Sequence, residues 1–204
     1  SEITKEKKKR KRGILSYFPT FLNLQNRKIL LVGGGLVASV KLRHLLDFTT
    51  NISVIAPILC DETERLIEAH SLSLAQRGYE QGDVADFDIV VVAVDNIALQ
   101  AEIFKESRGY NCLCNCVDAT EYCDFIFGST IKKDDLTIAI STSGASPAVA
   151  KVLKNYFESC IPSDIGIFLQ EMRALREKLP KGKERMKMLQ EKAQEYIKKH
   201  RRNG

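Results

Sequence analysis

The stretch that decides the fold is Lys28-Ile-Leu-Leu-Val-Gly-Gly-Gly-Leu-Val-Ala38, an apolar run that breaks into three glycines and then resumes. Residues 29–32 are aliphatic, which is typical of a buried strand in a parallel sheet. Gly33, Gly35 and Ala38 follow at the spacing of the dinucleotide-binding fingerprint, in the variant that ends in alanine. The stretch therefore predicts a strand, a nucleotide-binding loop and a helix.

Each small residue of this loop has its own expected task. Gly33 allows a tight turn, Gly35 lets the backbone approach a pyrophosphate, and Ala38 lets the helix pack closely on the strand. The helix that begins near Leu36 points its free N–H groups and its positive dipole end at the phosphates. We assign the whole loop, including Gly34, to cofactor binding.

Short apolar runs alternate with amphipathic segments up to Val117. The predicted strands lie near 28–32, 52–56, 72–76, 89–94 and 112–117, and the predicted helices at 36–47, 61–69 and 96–108. This alternation predicts an α/β fold with a Rossmann-type parallel sheet. In the third helix, Ile97, Ala101 and Phe104 recur at helical spacing and predict its apolar face.

The pattern changes after Asp124. Two β-rich runs, 125–131 and 136–141, flank the polar turn Lys132-Lys133-Asp134-Asp135. Ser146-Pro147 is a good helix start and predicts a helix over 148–157. A helical tail follows, and its apolar positions are Ile165, Leu169, Met172, Leu179, Met186, Leu189, Ala193 and Ile197. Core packing is the expected role of these positions, and a partner-binding helix pair is the alternative.

Composition limits the class of protein. The 204 residues, 44% hydrophobic and 28% charged, suit a globular protein of one or two domains. No apolar run approaches the ~20 residues that span a bilayer, so we predict no membrane partner. No secretory signal is visible, and six cysteines without one predict reduced thiols in the cytoplasm. Cys112, Cys114 and Cys116 alternate as buried strand residues would, without zinc-site spacing, so we predict no metal site.

The net charge is +5, and much of it lies in the terminal runs Lys5–Arg12 and Lys198–Arg202. Neither run has the interleaved aromatic residues of a nucleic-acid platform, so we predict solvated ends and no nucleic-acid partner. A basic chain nevertheless attracts acidic small molecules.

The ends of the predicted strands carry the candidate chemistry. The fingerprint usually has an acidic residue about 20 residues on that binds the adenosine ribose, but the second strand here ends before Pro57 and Ile58. Backbone groups there are expected to meet the ribose, and the lack of a following Lys or Arg favours NAD over NADP. Asp95, after the fourth strand, is predicted either to hold the cofactor or to cap the next helix.

Asp118 follows the apolar run that ends at Val117, so we expect it at the carboxyl edge of the sheet, beside the nicotinamide. A carboxylate there accepts a proton while a hydride leaves for the cofactor. The alternative is an aspartate that only ends a strand and begins a turn.

Five separated segments carry a family resemblance: Tyr17-Phe-Pro-Thr-Phe-Leu-Asn-Leu24, Val32-Gly-Gly-Gly-Leu-Val-Ala38, Asn115-Cys-Val-Asp118, Cys123-Asp-Phe-Ile126 and Ile138-Ala-Ile-Ser-Thr-Ser-Gly-Ala-Ser-Pro147. They resemble the precorrin-2 dehydrogenase / sirohydrochlorin ferrochelatase family, the amino-terminal module of siroheme synthases. The resemblance implies NAD-dependent oxidation of the tetrapyrrole precorrin-2 to sirohydrochlorin. It also implies Fe(II) insertion, with iron as substrate, in members that act as chelatases. We expect the single-module form, in which another protein methylates uroporphyrinogen.

The resemblance also implies a domain plan. We expect a flexible basic arm at 1–13, an NAD-binding Rossmann domain at 14–127, a dimerisation region at 128–160 and a helical region at 161–204. The β-rich insertion and the resemblance together predict a homodimer.

Residue by residue, Asp118 matches the family's catalytic aspartate. Leu36 and Val37, together with Pro57 and Ile58, match its NAD-contacting positions.

A second segment, the loop with Thr142, Ser143 and Ser146, is expected to be a substrate or regulatory loop. Thr142 stands where some members carry a serine open to phosphorylation. The family often has Gly-Gly where this chain has Ser143-Gly144, so the resemblance does not predict the shape of this loop. Two other functions stay open: a nucleotide-sensing Rossmann domain that regulates a partner, and another NAD(P)-dependent dehydrogenase.

Overall fold

The computed structural model describes residues 17–117 and 119–201. They form two compact units, Tyr17–Ile126 and the chain from Phe127 onward, and each is described by itself. The arm predicted at 1–13 and the candidate catalytic residue Asp118 both lie outside the described residues.

The first unit is a parallel sheet with helices between its strands. Its elements are β1 (Ile29–Val32), α1 (Leu36–Leu46), β2 (Ile52–Ile55), α2 (Asp61–Ala69), β3 (Ser73–Ala75), β4 (Ile89–Val92), α3 (Ile97–Gly109) and β5 (Leu113–Cys116). The strands lie in the order β3-β2-β1-β4-β5, and every neighbouring pair is parallel. The Rossmann-type sheet is therefore confirmed. From β1 to β3 each new strand is added on one side of β1, whereas β4 and β5 are added on its other side. Ligands bind at such a switch point in the strand order, which here lies between β1 and β4.

The burial of β1 and β4 explains why the aliphatic runs of the sequence predicted these two strands. Every residue of β1 and β4 is buried, and Ile29 of β1 is in register with both Ile52 and Ile89. A strand that is covered on both faces needs an uninterrupted aliphatic run, and both strands have one.

The apolar face predicted for α3 is wrong at its first residue. Ile97 is 58% exposed, whereas the buried residues of the helix are Gln100, Ile103 and Ser107. Gln100 is accommodated because its Nε2 donates to the carbonyl oxygen of Val94 at 2.7 Å. Its Oε1 is buried without a hydrogen-bond partner among the described residues, so the bond from Nε2 offsets only part of the cost of burying the amide. This helix thus buries polar residues that a hydrophobicity pattern assigns to solvent.

The second unit begins with a hairpin of β6 (Ser129–Lys133) and β7 (Leu136–Ile140), and three helices follow. The helices are α4 (Pro147–Cys160), α5 (Ile165–Lys178) and α6 (Lys183–Arg201). In α5 and α6, the rings of Phe168 and Tyr196 stack with centroids 3.9 Å apart. Met186 nevertheless remains 71% exposed, so the apolar face predicted for the tail is only partly covered. Among the described residues, no helix is long and apolar enough to cross a membrane.

The turn of the hairpin is shorter than predicted. Strand β6 continues through Lys133, so only Asp134 and Asp135 connect the two strands. Lys133 stays in the strand because its Nζ donates to the carbonyl oxygens of Glu158 and Ile161, at 3.4 and 3.3 Å. Both carbonyls lie at the carboxyl end of α4, where a cation satisfies unpaired acceptors.

Candidate functional site

The glycine loop after β1 is fixed by the neighbouring strands at its first two residues. Gly33 has φ +124°, and a Cβ there would lie 2.2 Å from the carbonyl oxygen of Ala93. A Cβ on Gly34 would lie 2.3 Å from the carbonyl oxygen of Ile58. The loops after β2 and β4 therefore pack directly on this backbone, and only glycine fits at either position.

The third glycine faces open space. Apart from the two chain neighbours of Gly35, no described residue has a heavy atom within 4 Å of its Cβ position. Gly35 is also the N-cap of α1, where no side chain caps the helix and no acidic residue stands in the first turn. Ala38 is fully buried, which brings the helix close to the sheet. The loop thus combines a free helix N-terminus with room for a pyrophosphate, and it fits a dinucleotide.

Apolar side chains are exposed around this space. Leu36 is 74% exposed, Val37 45%, and Ile58, in the loop after β2, 79%. Pro57 is exposed beside Ile58. Exposed aliphatic residues at a switch point offer flat surfaces for the rings of a nucleotide. The structure therefore brings the predicted cofactor positions at the ends of β1 and β2 together through the contact of Gly34 with Ile58.

Asp95 is exposed in the loop after β4, and it does not cap α3. The N-cap is Asn96, whose Oδ1 accepts the N–H of Leu99 at 3.2 Å. The capping alternative for Asp95 is wrong, and its contact with a cofactor stays a prediction. Sequence reasoning also missed Gln100, which holds this loop through Val94. The available signal was the position of Gln100, which the helical period places on the buried face of α3.

The loop before α4 is held together by its own hydroxyl groups. Thr142 Oγ1 accepts the N–H of Ser146 and donates to the carbonyl oxygen of Ser146, both at 3.1 Å. Ser146 Oγ in turn accepts the N–H of Val149 at 3.3 Å and is the N-cap of α4. Ser143 and Gly144 have φ 51° and 81°, so both adopt positive φ. Thr142 and Ser146 thus shape the loop, and a contact of the loop with substrate stays a prediction.

Three cysteines of the first unit belong to its hydrophobic core. Cys112, Cys114 and Cys116 are all buried in its core, as predicted, and all six cysteines of the chain are free thiols. Burial raises the pKa of Cys112 to about 12, so it stays protonated. Within the described ranges no three His, Cys, Asp or Glu residues stand together as a metal site.

The chain matches two family models. Residues 20–129 match the model described as putative NAD(P)-binding, and residues 133–159 match the model described as sirohaem biosynthesis protein central. The first match covers the whole parallel sheet, and the second covers most of the hairpin and nearly all of α4.

The curated relatives are named for siroheme biosynthesis. The siroheme synthase of Pseudoalteromonas atlantica is 34% identical over 163 residues, which cover 80% of this chain and 35% of the relative. The siroheme biosynthesis protein met8 of Schizosaccharomyces pombe is 34% identical over 158 residues, covering 76% and 60%. The chain thus spans about a third of the bacterial relative and three fifths of the fungal one. The solved structure of SirC, a precorrin-2 dehydrogenase, has the same fold, with a TM-score of 0.71, 24% identity and coverage of 86% of this chain and 88% of its own.

Proposed function

Because the chain belongs to the putative NAD(P)-binding family and carries the central segment of sirohaem biosynthesis proteins, we propose that it oxidises precorrin-2 to sirohydrochlorin with NAD. One observation carries the proposal. A chain with this family match has an open, uncapped helix N-terminus at Gly35, at the switch point of its sheet. The names of the relatives supply the substrate class.

The proposal gives the pyrophosphate and the ribose of NAD partners in the backbone around the loop. The N–H groups at the start of α1 would hold the pyrophosphate, and backbone groups at Pro57 and Ile58 would meet the ribose. The segment 56–60 contains no Lys or Arg that could pair with a 2′-phosphate. NAD is therefore the proposed cofactor rather than NADP.

Oxidation of precorrin-2 to sirohydrochlorin removes a hydride and a proton. NAD, when bound, would supply the hydride acceptor, so a base of the chain must take the proton. Asp118 is the proposed base, because it stands two residues after the end of β5 in the sequence and the carboxyl edge of such a sheet is where ligands bind. Fe(II) enters the proposal only as the substrate of a second reaction, in which the same carboxylate would accept pyrrole protons.

The second unit supports a homodimer. A two-stranded hairpin is marginal by itself in water. Helix α4 also exposes a row of apolar side chains at helical spacing: Val149, Val152, Leu153, Tyr156 and Phe157. A second copy of the chain would cover this row in a symmetric interface, which is the commonest form of oligomer. We place the enzyme in the cytoplasm because its six free thiols suit a reducing compartment.

The test is turnover of precorrin-2 with NAD by the unmodified chain and by Asp118→Asn. The variant is expected to bind NAD normally and to form sirohydrochlorin about 10²–10⁴-fold more slowly, because a general base is lost. Asp86→Asn changes an exposed carboxylate in the loop before β4 and is the matched control. A chain that binds NAD but turns over neither precorrin-2 nor another acid would be a nucleotide sensor. Turnover of a different acid would make it another dehydrogenase.

A further inference from the structure

Strand β5 is one of the two outer strands of the sheet, and half of its backbone groups face away from β4. The N–H groups of Leu113 and Val117 donate to the carbonyl oxygens of Asp88 and Val92, at 2.9 and 3.1 Å. The alternate residues Cys114 and Cys116 therefore turn their N–H and C=O groups outward. An edge of this kind pairs with another strand unless it is covered.

The thiol of Cys123 covers the pair at Cys116. Its Sγ accepts the N–H of Cys116 at 3.2 Å and donates to the carbonyl oxygen of Cys116 at 3.0 Å. One side chain thus supplies both the donor and the acceptor that a neighbouring strand would supply. Burial raises the pKa of Cys123, so the sulfur keeps the proton that it donates.

Asp124 covers the pair at Cys114. Its N–H donates to the carbonyl oxygen of Cys114 at 2.8 Å, and its Oδ2 accepts the N–H of Cys114 at 2.8 Å. Arg108 of α3 holds the same carboxylate with both of its terminal nitrogens, and it also donates to the carbonyl oxygen of Cys112 at 3.0 Å. The side-chain amide of Asn115 donates to the carbonyl oxygen of Phe125 at 2.8 Å, so a third residue of β5 contacts the chain around Asp124.

We propose that Cys123 and the Arg108–Asp124 ion pair form a clasp that positions Asp118 for proton transfer. The clasp joins Cys114 and Cys116, which precede Asp118 in the sequence, to Cys123 and Asp124, which follow it. Within the described residues 119–122, the N–H of Tyr122 donates to the carbonyl oxygen of Ala119 at 2.9 Å. The inference rests on the proposed function, and its members act through Asp118 rather than on the substrate.

A double-mutant cycle tests the clasp. Cys123→Ala removes both contacts with Cys116, and a small displacement of a reacting group costs up to about 10²-fold in rate. We expect kcat to fall about 10–10²-fold, with the KM for precorrin-2 and the Kd for NAD unchanged. Cys123→Ser keeps a donor and an acceptor and is expected to restore most of kcat. In the Asp118→Asn background, Cys123→Ala is expected to have almost no further effect on kcat, since the positioned group is gone.

Cys112→Ala is the matched control, because it removes a buried sulfur beside the same strand whose contact is with the Leu113 carbonyl at 3.8 Å. It is expected to lower stability and leave kcat unchanged. Should Cys123→Ala fail to fold, Arg108→Lys keeps the charge, loses the two-nitrogen contact with Asp124, and enters the same cycle. Equal losses of kcat with and without Asp118, or no loss at all, overturn the clasp. An unmodified chain that forms no sirohydrochlorin overturns the proposed function instead.

Discussion

Replacing Gly35 with serine separates cofactor binding from the stability of the loop. Gly35 has φ −81° and ψ −171°, the extended geometry of an N-cap, and nothing lies within 4 Å of an added Cβ. Serine is a favoured N-cap because its hydroxyl accepts a first-turn N–H group. The folded variant should therefore be as stable as the unmodified chain, or more stable by roughly a few tenths of a kcal/mol.

The same hydroxyl should weaken NAD binding strongly. It fills the space assigned to the pyrophosphate and takes up an N–H group that the phosphate needs. A hydrogen bond to a charged group contributes about 1.5–3 kcal/mol, so loss of one or two costs roughly 1.5–6 kcal/mol. That loss raises the Kd for NAD by about 10–10⁴-fold.

Gly33→Ala should instead destabilise the fold. Its backbone conformation is almost restricted to glycine, at a cost of about 1–3 kcal/mol for alanine. The close approach to the Ala93 carbonyl oxygen adds about 1–3 kcal/mol of overpacking. We therefore expect Gly33→Ala to lower the Tm by roughly 10 °C or more.

Calorimetric titration with NAD and thermal unfolding of both glycine variants make the comparison. An unchanged Kd for a folded Gly35→Ser protein would refute the position assigned to the pyrophosphate. An unchanged Tm for Gly33→Ala would refute the packing of the loop on β4.

Three further predictions concern stability and assembly. Arg77 holds the pKa of Asp83 below its usual range. The ion pair therefore stabilises the fold above about pH 4, and this stabilisation is lost as the pH falls through the lowered pKa. In urea unfolding, the stability of Asp83→Asn should fall less over that acid range than the stability of the unmodified chain. Gly166→Ala should destabilise the second unit by about 1–3 kcal/mol, because its Cβ would lie 1.8 Å from Asp134 Oδ2, and circular dichroism during heating measures this. Val152→Asp should give a folded monomer by light scattering, since Val152 is 67% exposed and lies in the apolar row of α4.

Each of these variants has a matched control. Glu80→Gln removes the weaker, exposed partner of Arg77, 3.9 Å away, and should leave the acid dependence nearly unchanged. Gly182→Ala adds a Cβ with nothing within 4 Å, and its Tm should stay near that of the unmodified chain. Asn155→Asp places the same charge on an exposed residue of α4 outside the apolar row and should leave the dimer intact. A dimeric Val152→Asp protein would contradict the interface proposed for α4.

The sequence predicted the parallel sheet well because local patterns determine it. The aliphatic run before Gly33 and the run before Ala93 are each buried along their whole length, and such runs have few other structures open to them. The bounds of α1 and α2 also agree with the prediction to within a residue, because the glycine loop and Pro57 mark where the chain leaves each strand.

What the sequence did not reveal depends on hydrogen-bond partners that lie 6 to 28 positions away in the chain. Lys133 stays in its strand because of carbonyl groups at the end of α4, and Gln100 is buried because it bonds to the loop that precedes its own helix. The covering of β5 by Cys123 joins a thiol to a backbone pair seven positions earlier, as the contact with Cys116 shows. No propensity or period encodes such contacts, since they are set by the packing of the folded chain.

The central claim is that the chain transfers a hydride from precorrin-2 to NAD. The most direct measurement mixes the unmodified chain with precorrin-2 and NAD in the absence of oxygen, and follows NADH and sirohydrochlorin in the same sample. The account predicts that one NADH appears for each sirohydrochlorin formed, and that neither appears when NAD is omitted. Sirohydrochlorin that forms without NADH, or precorrin-2 that persists while NAD is bound, would contradict it.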